Sequence, residues 1–405
     1  MQDNEKKPAL RFKGFTDPWE QRKLGEIAVF SKGVGYSKND LCEEGTPIIL
    51  YGRLYTKYET CIFDVDTFVK EKAGGVYSKG GEVIVPASGE TAEDISIASV
   101  VVKPGILLGG DLNIVSPTAE YDSAFLALTI SSGATHKYLS SLAQGKSVVH
   151  LHNADIQSVS AKFPTKREQE KIHLLFGKID TLITLHQRKY EKLVNIKKSM
   201  LDKMFPPNGA SVPEIRFKGF TDPWEQRKLG DITVELSEYA TQELGLPLLT
   251  SSRSGLMYQD EYRDSRTTKS TETLFSVVPV GTCTYRHMSD DDVFHMNINT
   301  LEKGLVSREY PVFEASKGNN LEFLVQHINS SEEFKAFCAE QKKGGTRTRL
   351  YYNTLCQFTV RVPALKEQAQ ISQCLKKLDT LITLHQRKLE KLQNIKKSCL
   401  EKMFV

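Results

Sequence analysis

Apolar residues recur at alternating steps of three and four in two long segments, which is the spacing of an amphipathic helix. The first segment contains Ile172, Leu175, Ile179, Leu182, Leu193, Ile196 and Met200. The second contains Ile371, Cys374, Leu378, Leu381, Leu392, Ile395 and Cys399. The pattern predicts two helices of ~38 residues, or about 57 Å each at ~1.5 Å per residue. Both stripes carry the same polar interruption, His186 with Lys189 and His385 with Lys388. This match favours an antiparallel pair over two helices that each pack only on their own domain.

The segments before the long helices contain short β-branched runs bounded by Gly and Pro, which predict strands. These runs are TPIILYG (46–52), GEVIVPAS (81–88), ASVVVKPG (98–105) and LFSVVPVGTCTYR (274–286). A helix is expected late in each segment, at 123–142 and 322–341. The predicted fold class is therefore α+β, with two mixed α/β domains joined by two long antiparallel helices that form an intramolecular coiled coil with pseudo-twofold symmetry.

Two blocks of the chain occur twice. Residues 11–25 recur letter for letter at 216–230, a shift of 216 − 11 = 205, and residues 180–189 recur at 379–388, a shift of 379 − 180 = 199. Between these blocks almost nothing aligns. Near-identical frames around divergent segments indicate one scaffold that presents two different recognition surfaces.

The repeated block 11–25 also carries helix signals. Asp17 and Asp222 are each followed by proline, which favours a helix N-terminus, and a glycine follows eight residues after each aspartate. We therefore expect a short helix in each copy, with Trp19 and Trp224 as buried anchors. The predicted domains are a first recognition domain with its N-terminal head (1–163), a first spacer helix (164–206), a second recognition domain with the repeated head (207–362) and a second spacer helix (363–405).

Composition narrows the class of protein. The 405 residues are 40% hydrophobic, enough for ordinary cores, and the net charge of +4 permits nucleic-acid binding without requiring it. The seven cysteines form no Cys-x-x-Cys pair, which favours reduced thiols and a cytoplasmic location. We see neither a signal peptide at the start nor an apolar run long enough to span a membrane.

The sequence completes none of the catalytic motifs that its short matches suggest. GKS at 145–147 lacks the glycine of a phosphate-binding loop, because Ser140 stands at that position. DPW (17–19 and 222–224) and FPP (205–207) do not complete the motif of a DNA amino-methyltransferase. The acidic run Asp290–Asp292 and the pair His150 and His152 are better explained as solvated surface than as metal ligands. We therefore expect no catalytic residue, cofactor site or metal site in this chain. Two rivals stay open: a stand-alone methyltransferase or nuclease with an unrecognised motif, and a two-headed scaffold that binds proteins.

Residue types that contact nucleic acid are present in both divergent segments. Arg and Lys can hold phosphates or guanine edges, and Tyr can stack or bond to the backbone. The candidates of the first segment are Lys32, Tyr36, Arg53, Tyr55, Ser88, Glu90, Thr91, Lys146, His150 and His152. Those of the second are Arg253, Arg266, Lys269, Tyr285, Arg286, Lys342, Lys343, Arg347, Arg349 and Tyr351.

The ordered duplication resembles the specificity subunit of type I restriction–modification enzymes. The resemblance rests on the repeated Trp-Glu-x-x-x-Leu-Gly heads, the opening GVGYSKNDLCEEGTPIILYGRL (33–54), the segment QGKSVVHLHNADI (144–156), and the helix entries PTKREQ (164–169) and PALKEQ (363–368). It covers essentially the whole chain, although the second segment lacks a clear copy of that opening.

The resemblance implies a non-enzymatic subunit that recognises bipartite double-stranded DNA, with one target recognition domain per half-site and the helices as a spacer. It implies two modification subunits as partners, which supply S-adenosylmethionine and the methyl-transfer site. Restriction subunits, where bound, add cleavage that depends on ATP and Mg²⁺.

Overall fold

The computed structural model describes residues 8–145, 148–207, 209–262, 273–342 and 346–404. The chain divides into two compact units, Met1–Arg188 with Gln386–Val405 (unit 1) and Lys189–His385 (unit 2). Each long helix therefore begins in one unit and ends in the other, whereas the domain boundaries predicted from the sequence keep each helix separate. Those boundaries stay a prediction.

Unit 1 is built mainly from short strands. They are β1 Glu20–Lys23, β2 Ala28–Lys32, β3 Leu41–Cys42, β4 Thr46–Ile49, β5 Cys61–Ile62, β6 Phe68–Val69, β7 Glu82–Pro86, β8 Ser88–Gly89, β9 Ser99–Val101, β10 Leu107–Leu108, β11 Leu112–Pro117, β12 Val149–His150 and β13 Ser160–Phe163. Its helices are α1 Leu24–Ile27, α2 Arg53–Thr56, α3 Ala92–Ile95, α4 Ser123–Ile130, α5 Gly133–Leu142, α6 Asn153–Ser158 and the start of α7 Lys166–Met204, with a 3₁₀ turn at Lys38–Asp40.

Unit 2 begins and ends with the same order of elements as unit 1 but differs between them. Its strands are β14 Glu225–Lys228, β15 Thr233–Glu235, β16 Tyr239–Ala240, β17 Leu249–Ser252, β18 Gly255–Tyr258, β19 Phe275–Val278, β20 Cys283–Thr284, β21 Met288–Ser289, β22 Asn297–Ile298, β23 Gly304–Ser307, β24 Val312–Ala315, β25 Thr348–Arg349 and β26 Thr359–Val362. Its helices are α8 Leu229–Ile232, α9 Gln259–Tyr262, α10 Leu321–Ser330, α11 Glu332–Glu340, α12 Tyr352–Leu355 and the start of α13 Leu365–Met403, with a 3₁₀ turn at Gln242–Leu244.

The sheets are mainly antiparallel. In unit 1 the strand order is β2-β11-β7-β9-β5 in one sheet and β10-β4-β6-β3 in another, with parallel pairs only at β5/β9 and β4/β10 among the described strands. Unit 2 contains the orders β15-β24-β20-β22 and β16-β19-β23. The predicted strands are confirmed because their β-branched residues are buried: Val83, Ile84 and Val85 are fully enclosed.

Both long helices are confirmed, at 39 residues each. Within unit 1, Asp180 of α7 pairs with Lys396 of α13 at 2.6 Å. Within unit 2, Lys197 pairs with Asp379 at 2.5 Å. In each unit an early residue of one helix meets a late residue of the other, so the two segments run antiparallel. The predicted fold class is confirmed.

The ends of the helices also pack on the recognition domains. Phe176 of α7 and Phe404, just after α13, join the main core of unit 1. Met204 of α7 and Leu375 of α13 join the main core of unit 2. The rival expectation, that each helix packs only on its own domain, is therefore incomplete.

The helix predicted over residues 17–25 is wrong. Glu20–Lys23 is strand β1, antiparallel to β13, and Glu225–Lys228 is strand β14, antiparallel to β26. Only one helical turn follows each strand. The capping pattern is outweighed because these backbone groups bond to the strand that leads into a long helix. Trp224 is buried as predicted, whereas Trp19 is half-buried.

Candidate nucleic-acid interface

The motif Pro-x-x-x-Glu-Gln ties the repeated head to the long helix. Arg11 donates two hydrogen bonds to Glu168, at 2.9 and 2.7 Å, and the Glu168 side chain is 1% exposed. Gln169 accepts from the backbone N–H of Asp122 and donates to the carbonyl of Pro164. The motif therefore holds the head, the start of α7 and the N-terminus of α4 in one arrangement.

Unit 2 repeats these contacts. Arg216 donates to Glu367 at 2.7 and 2.8 Å, and the Glu367 side chain is fully buried. Gln368 accepts from the N–H of Asn320 and donates to Pro363. The repeated sequence thus builds the same rigid frame twice.

From this frame each unit presents a small two-stranded ribbon. In unit 1, β8 and β12 pair with Ser88 opposite His150. The following residue, Leu151, is fully buried and donates its backbone N–H to the carbonyl of Ala87. We call β8, β12 and the adjoining residues to His152 the first ribbon.

Unit 2 has the same construction. Strands β21 and β25 pair with Met288 opposite Arg349, and the buried Leu350 donates its N–H to the carbonyl of His287. We call β21, β25 and the adjoining residues to Tyr351 the second ribbon. The sequence comparison missed this equivalence, because only an apolar residue before a short helix is common to the two segments.

The first ribbon exposes histidines. The rings of His150 and His152 stack with centroids 6.4 Å apart, and Ser88 Oγ lies 3.2 Å from His150 Nδ1. Tyr55 donates its hydroxyl hydrogen to the carbonyl of Ser88, and burial raises its pKa above the ordinary value. Tyr55 therefore supports the ribbon.

The loop between β8 and α3 contains two further candidates for DNA contact. Thr91 caps α3 by accepting from the N–H of Asp94, and it donates its hydroxyl to the Asp94 carboxylate. Glu90 and Thr91 are both exposed.

The second ribbon exposes cations and an aromatic ring. Arg286 and Arg349 are exposed, and neither forms an ion pair with another described residue. Tyr351 is half exposed and stacks on His287 at 5.8 Å. Burial lowers the pKa of His287, so the ring under Tyr351 favours the neutral form.

A loop of three aspartates borders the second ribbon and pairs with three other predicted DNA-contacting cations of unit 2. Asp290 pairs with Arg347 at 2.7 Å, Asp291 with Arg253, and Asp292 with Lys342 at 3.6 Å. Thr348 also donates its hydroxyl to Asp292. The predicted cationic cluster is therefore partly neutralised by acids that lie more than 30 residues away in sequence.

Four candidate residues are buried, each at most 8% exposed, so their side chains are not available to DNA: Tyr36, Arg53, Ser88 and Tyr285. Tyr36 is 6% exposed, and its hydroxyl bonds to the backbone of Lys72. Arg53 is 8% exposed and pairs with Glu59 and Asp66. These two side chains lie in the core or its edge and are not available to DNA.

Tyr285 is fully buried and packs on Phe313, so it is likewise unavailable. Lys32 is exposed at the end of β2. Four candidates lie outside the described residues: Lys146, Arg266, Lys269 and Lys343. For the exposed candidates, DNA contact stays a prediction.

Within the described ranges, no group of three or more His, Cys, Asp or Glu side chains is arranged to hold a metal ion. No helix of the described chain is both long and apolar enough to cross a membrane. The three aspartates of unit 2 serve as partners for cations.

A family model of the type I restriction modification DNA specificity domain matches residues 16–195 and 295–394. The chain belongs to this family. It is therefore a non-catalytic specificity subunit with a role in DNA recognition. The matched ranges include the first ribbon, the second strand of the second ribbon and most of both long helices.

Two solved structures are also similar to this chain. The S subunit of a type I restriction-modification system from M. genitalium is 13% identical, with a TM-score of 0.58 over 98% of this chain and 99% of that one. This likeness supports the fold. An HsdS subunit from Thermoanaerobacter tengcongensis is 14% identical, with a TM-score of 0.44 over 95% and 96% of the two chains.

Proposed function

We propose that this type I specificity subunit recognises a bipartite DNA sequence, with one half-site for each unit, and directs modification subunits to it. The observation that carries the proposal is the pair of ribbons. They arise from the same frame and the same register but present different side chains, histidines in unit 1 and arginines with tyrosine in unit 2. Different donors and acceptors at equivalent positions are what two different half-sites require.

The long helices are proposed as the spacer that sets the gap between half-sites. Each helix passes from one unit to the other, and 39 residues span about 59 Å at ~1.5 Å per residue. Half-sites one helical turn of DNA apart are separated by about 34 Å. The helices are long enough for that range.

The same helices are proposed to dock two copies of one modification subunit. Leu182 and Leu185 are 43% and 44% exposed, and their repeats Leu381 and Leu384 are 42% and 44% exposed. Exposed leucines at repeated positions offer equivalent apolar contacts to two identical partners. The partners would supply S-adenosylmethionine, and restriction subunits, where bound, would use ATP with Mg²⁺.

The test exchanges residues 28–150 for the corresponding segment of another specificity subunit. The variant is co-expressed with its modification partner, and methylated sites are mapped across a genome. We expect one half-site to change while the other half-site and the gap stay the same, because β1, β13 and the frame around Glu168 are retained.

The mapping, an activity assay of the purified chain and a DNA-binding titration together separate the rival functions. A change in both half-sites would overturn the modular assignment. Methylation or cleavage by the purified chain alone would favour a stand-alone enzyme. Absence of sequence-specific DNA binding with a steep salt dependence would favour a protein-binding scaffold.

A further inference from the structure

The aspartates Asp290, Asp291 and Asp292, which we call the acidic loop, lie beside a ribbon assigned to DNA. Every one of them pairs with a cation of the predicted DNA-binding set. In charge terms, Arg253, Lys342 and Arg347 contribute +3 and the acidic loop −3, which leaves zero. The function proposed above, on which this inference rests, does not explain why a DNA-binding surface carries these acids.

The acidic loop is held firmly at the ribbon. Ser289 of β21 donates its hydroxyl to Asp291 at 2.8 Å, and the N–H of Val293 donates to the same Oδ1 at 3.4 Å. Thr348 of β25 donates to Asp292, whose φ of +63° is left-handed. The hydrogen bonds from Ser289 and Arg253 lower the pKa of Asp291, so it stays ionised. The loop is therefore anchored to both ribbon strands and does not depend only on the exposed ion pairs.

Anchored carboxylates affect target and non-target DNA differently. A phosphate that approaches Arg347 must displace Asp290, which is 69% exposed, and then lie beside its negative charge. A base edge in the major groove can instead donate to the carboxylate, as the amino group of cytosine does. The carboxylates therefore weaken binding to a phosphate without a base contact. They strengthen binding to a base that donates a hydrogen bond to them.

We propose that the acidic loop is the specificity-determining element of unit 2. It neutralises Arg253, Lys342 and Arg347 against the phosphates of non-target DNA. At the target its carboxylates accept hydrogen bonds from an exocyclic amino group such as cytosine N4, while an arginine of the ribbon contacts guanine. The half-site of unit 2 then contains a G·C pair.

The first ribbon lacks this arrangement. The position after β8 holds Glu90, an exposed acid that forms no ion pair with another described residue. Unit 1 therefore provides the control for unit 2, because replacing an acidic side chain there frees no cation of the first ribbon.

The test replaces all three aspartates: Asp290→Asn, Asp291→Asn and Asp292→Asn. Asparagine keeps an accepting oxygen for Ser289 and Thr348 and tolerates the left-handed backbone at 292. Binding of the full chain with its modification partner is measured by titration against a random-sequence duplex and against its mapped target, over a series of salt concentrations. The matched control is Glu43→Gln, Glu44→Gln and Glu120→Gln, exposed acids of unit 1 with no described ion pair, which changes the net charge equally.

We expect the triple asparagine variant to bind the random duplex roughly tenfold more tightly than the control. Its salt slope should steepen by about 2 to 3, because each freed cation that contacts a phosphate adds ~0.9. Target affinity should not rise in proportion, and methylation mapping should show relaxed identity at a G·C pair of one half-site.

The role of the Asp290–Arg347 pair is checked with Asp290→Asn in the wild-type chain and in a chain that carries Arg347→Ala. The single change should strengthen random-duplex binding only where Arg347 is present. These two variants also replace the triple variant if the latter does not fold, since the Asp290 side chain pairs with Arg347 and with no other described residue.

The inference is overturned if the triple variant binds the random duplex no better than the control, or if target and random affinities rise equally. In either case the wild-type chain still binds its target specifically, so the proposed function stands. If the wild-type complex binds no DNA with sequence preference, the proposed function itself fails.

Discussion

Arg11 and Glu168 form a buried ion pair whose side chains are 14% and 1% exposed. Replacement of Arg11 by Met should lower the unfolding free energy of unit 1 by about 3 kcal/mol, because Glu168 would keep a buried charge without its partner. The measurement is chemical denaturation of the full chain, with hydrogen exchange to assign the loss to unit 1.

The matched control for that change is Arg22→Met. Arg22 also pairs with a glutamate, Glu20, but both side chains are exposed, at 49% and 70%. Exposed ion pairs contribute little to the free energy of unfolding, because water screens the two charges. Equal destabilisation by the two variants would contradict the structural role of the Arg11 pair.

Arg347 and Arg349 are the cations of the second ribbon whose replacement should affect DNA most directly. Changing both to Ala should weaken binding of the mapped target by about 1–3 kcal/mol for each base contact that is lost. Thermal unfolding should change little, because both side chains are exposed. The control removes two exposed cations of unit 2 that belong neither to the ribbon nor to its ion pairs, Lys218→Ala with Lys317→Ala. If the two double variants bind target equally well, the second ribbon is not the contact surface.

At the scale of elements, α4 and α10 occupy equivalent places, but α10 carries a histidine where α4 has a threonine. Asp122 caps α4 and Asn320 caps α10, so Thr129 and His327 both lie seven residues after a cap. The His327 ring stacks on Phe205 at 4.6 Å, and Nδ1 has no hydrogen-bond partner among the described atoms. This burial lowers the pKa of His327 from 6.5 to about 4.

Unit 2 should therefore lose stability in acid. A histidine with a lowered pKa in the folded state contributes its full stability when the pH lies above the pKa of the unfolded state. This contribution is lost as pH falls from about 6.5 towards 4. The loss should reach up to about 3 kcal/mol, since each pKa unit corresponds to ~1.4 kcal/mol. Denaturant titrations at several pH values provide the measurement, and His327→Thr should flatten the dependence.

Unit 1 should respond in the opposite direction. The hydrogen bond from His173 to Asp122, at 3.1 Å, raises the pKa of His173. Its contribution is present below the ordinary histidine value and is lost as pH rises through the folded value. Asp122 also has a lowered pKa, so its contribution to unit 1 is lost in stronger acid, as pH falls through its own folded value. The comparison is therefore made between pH 6.5 and about 4. In that window an acid-sensitive unit 1 together with an acid-resistant unit 2 would contradict both assignments.

At the scale of the whole molecule, the long helices make a prediction about the gap. Seven helical residues inserted after both Lys189 and Lys388 add about 10.5 Å at ~1.5 Å per residue. The gap in the methylated sequence should lengthen by about 3 base pairs of ~3.4 Å, with both half-sites unchanged. A seven-residue insertion in an exposed loop, after Gly74, is the control, and an unchanged gap in the helix variant would refute the spacer.

The two long helices, most strands and the family could be predicted from the sequence. Hydrophobic spacing reports local geometry and the burial of one face, and residues such as Ile172 and Ile371 carry it directly. The duplication of residues 11–25 and 180–189 likewise indicated one frame used twice. These features depend on neighbours along the chain, so they can be recognised without a structure.

Tertiary structure alone decided which side chains are free to meet DNA. Arg53 and Tyr285 have suitable chemistry but are buried. Glu20–Lys23 is a strand because it pairs with residues 160–163, which lie 160 − 23 = 137 to 163 − 20 = 143 residues away. The pairing of Arg347 with Asp290 and the register shared by the two ribbons arise from packing between distant segments. Local pattern determined the elements and their repetition, whereas long-range packing determined exposure and charge balance at the ribbons, because neither depends on neighbouring residues alone.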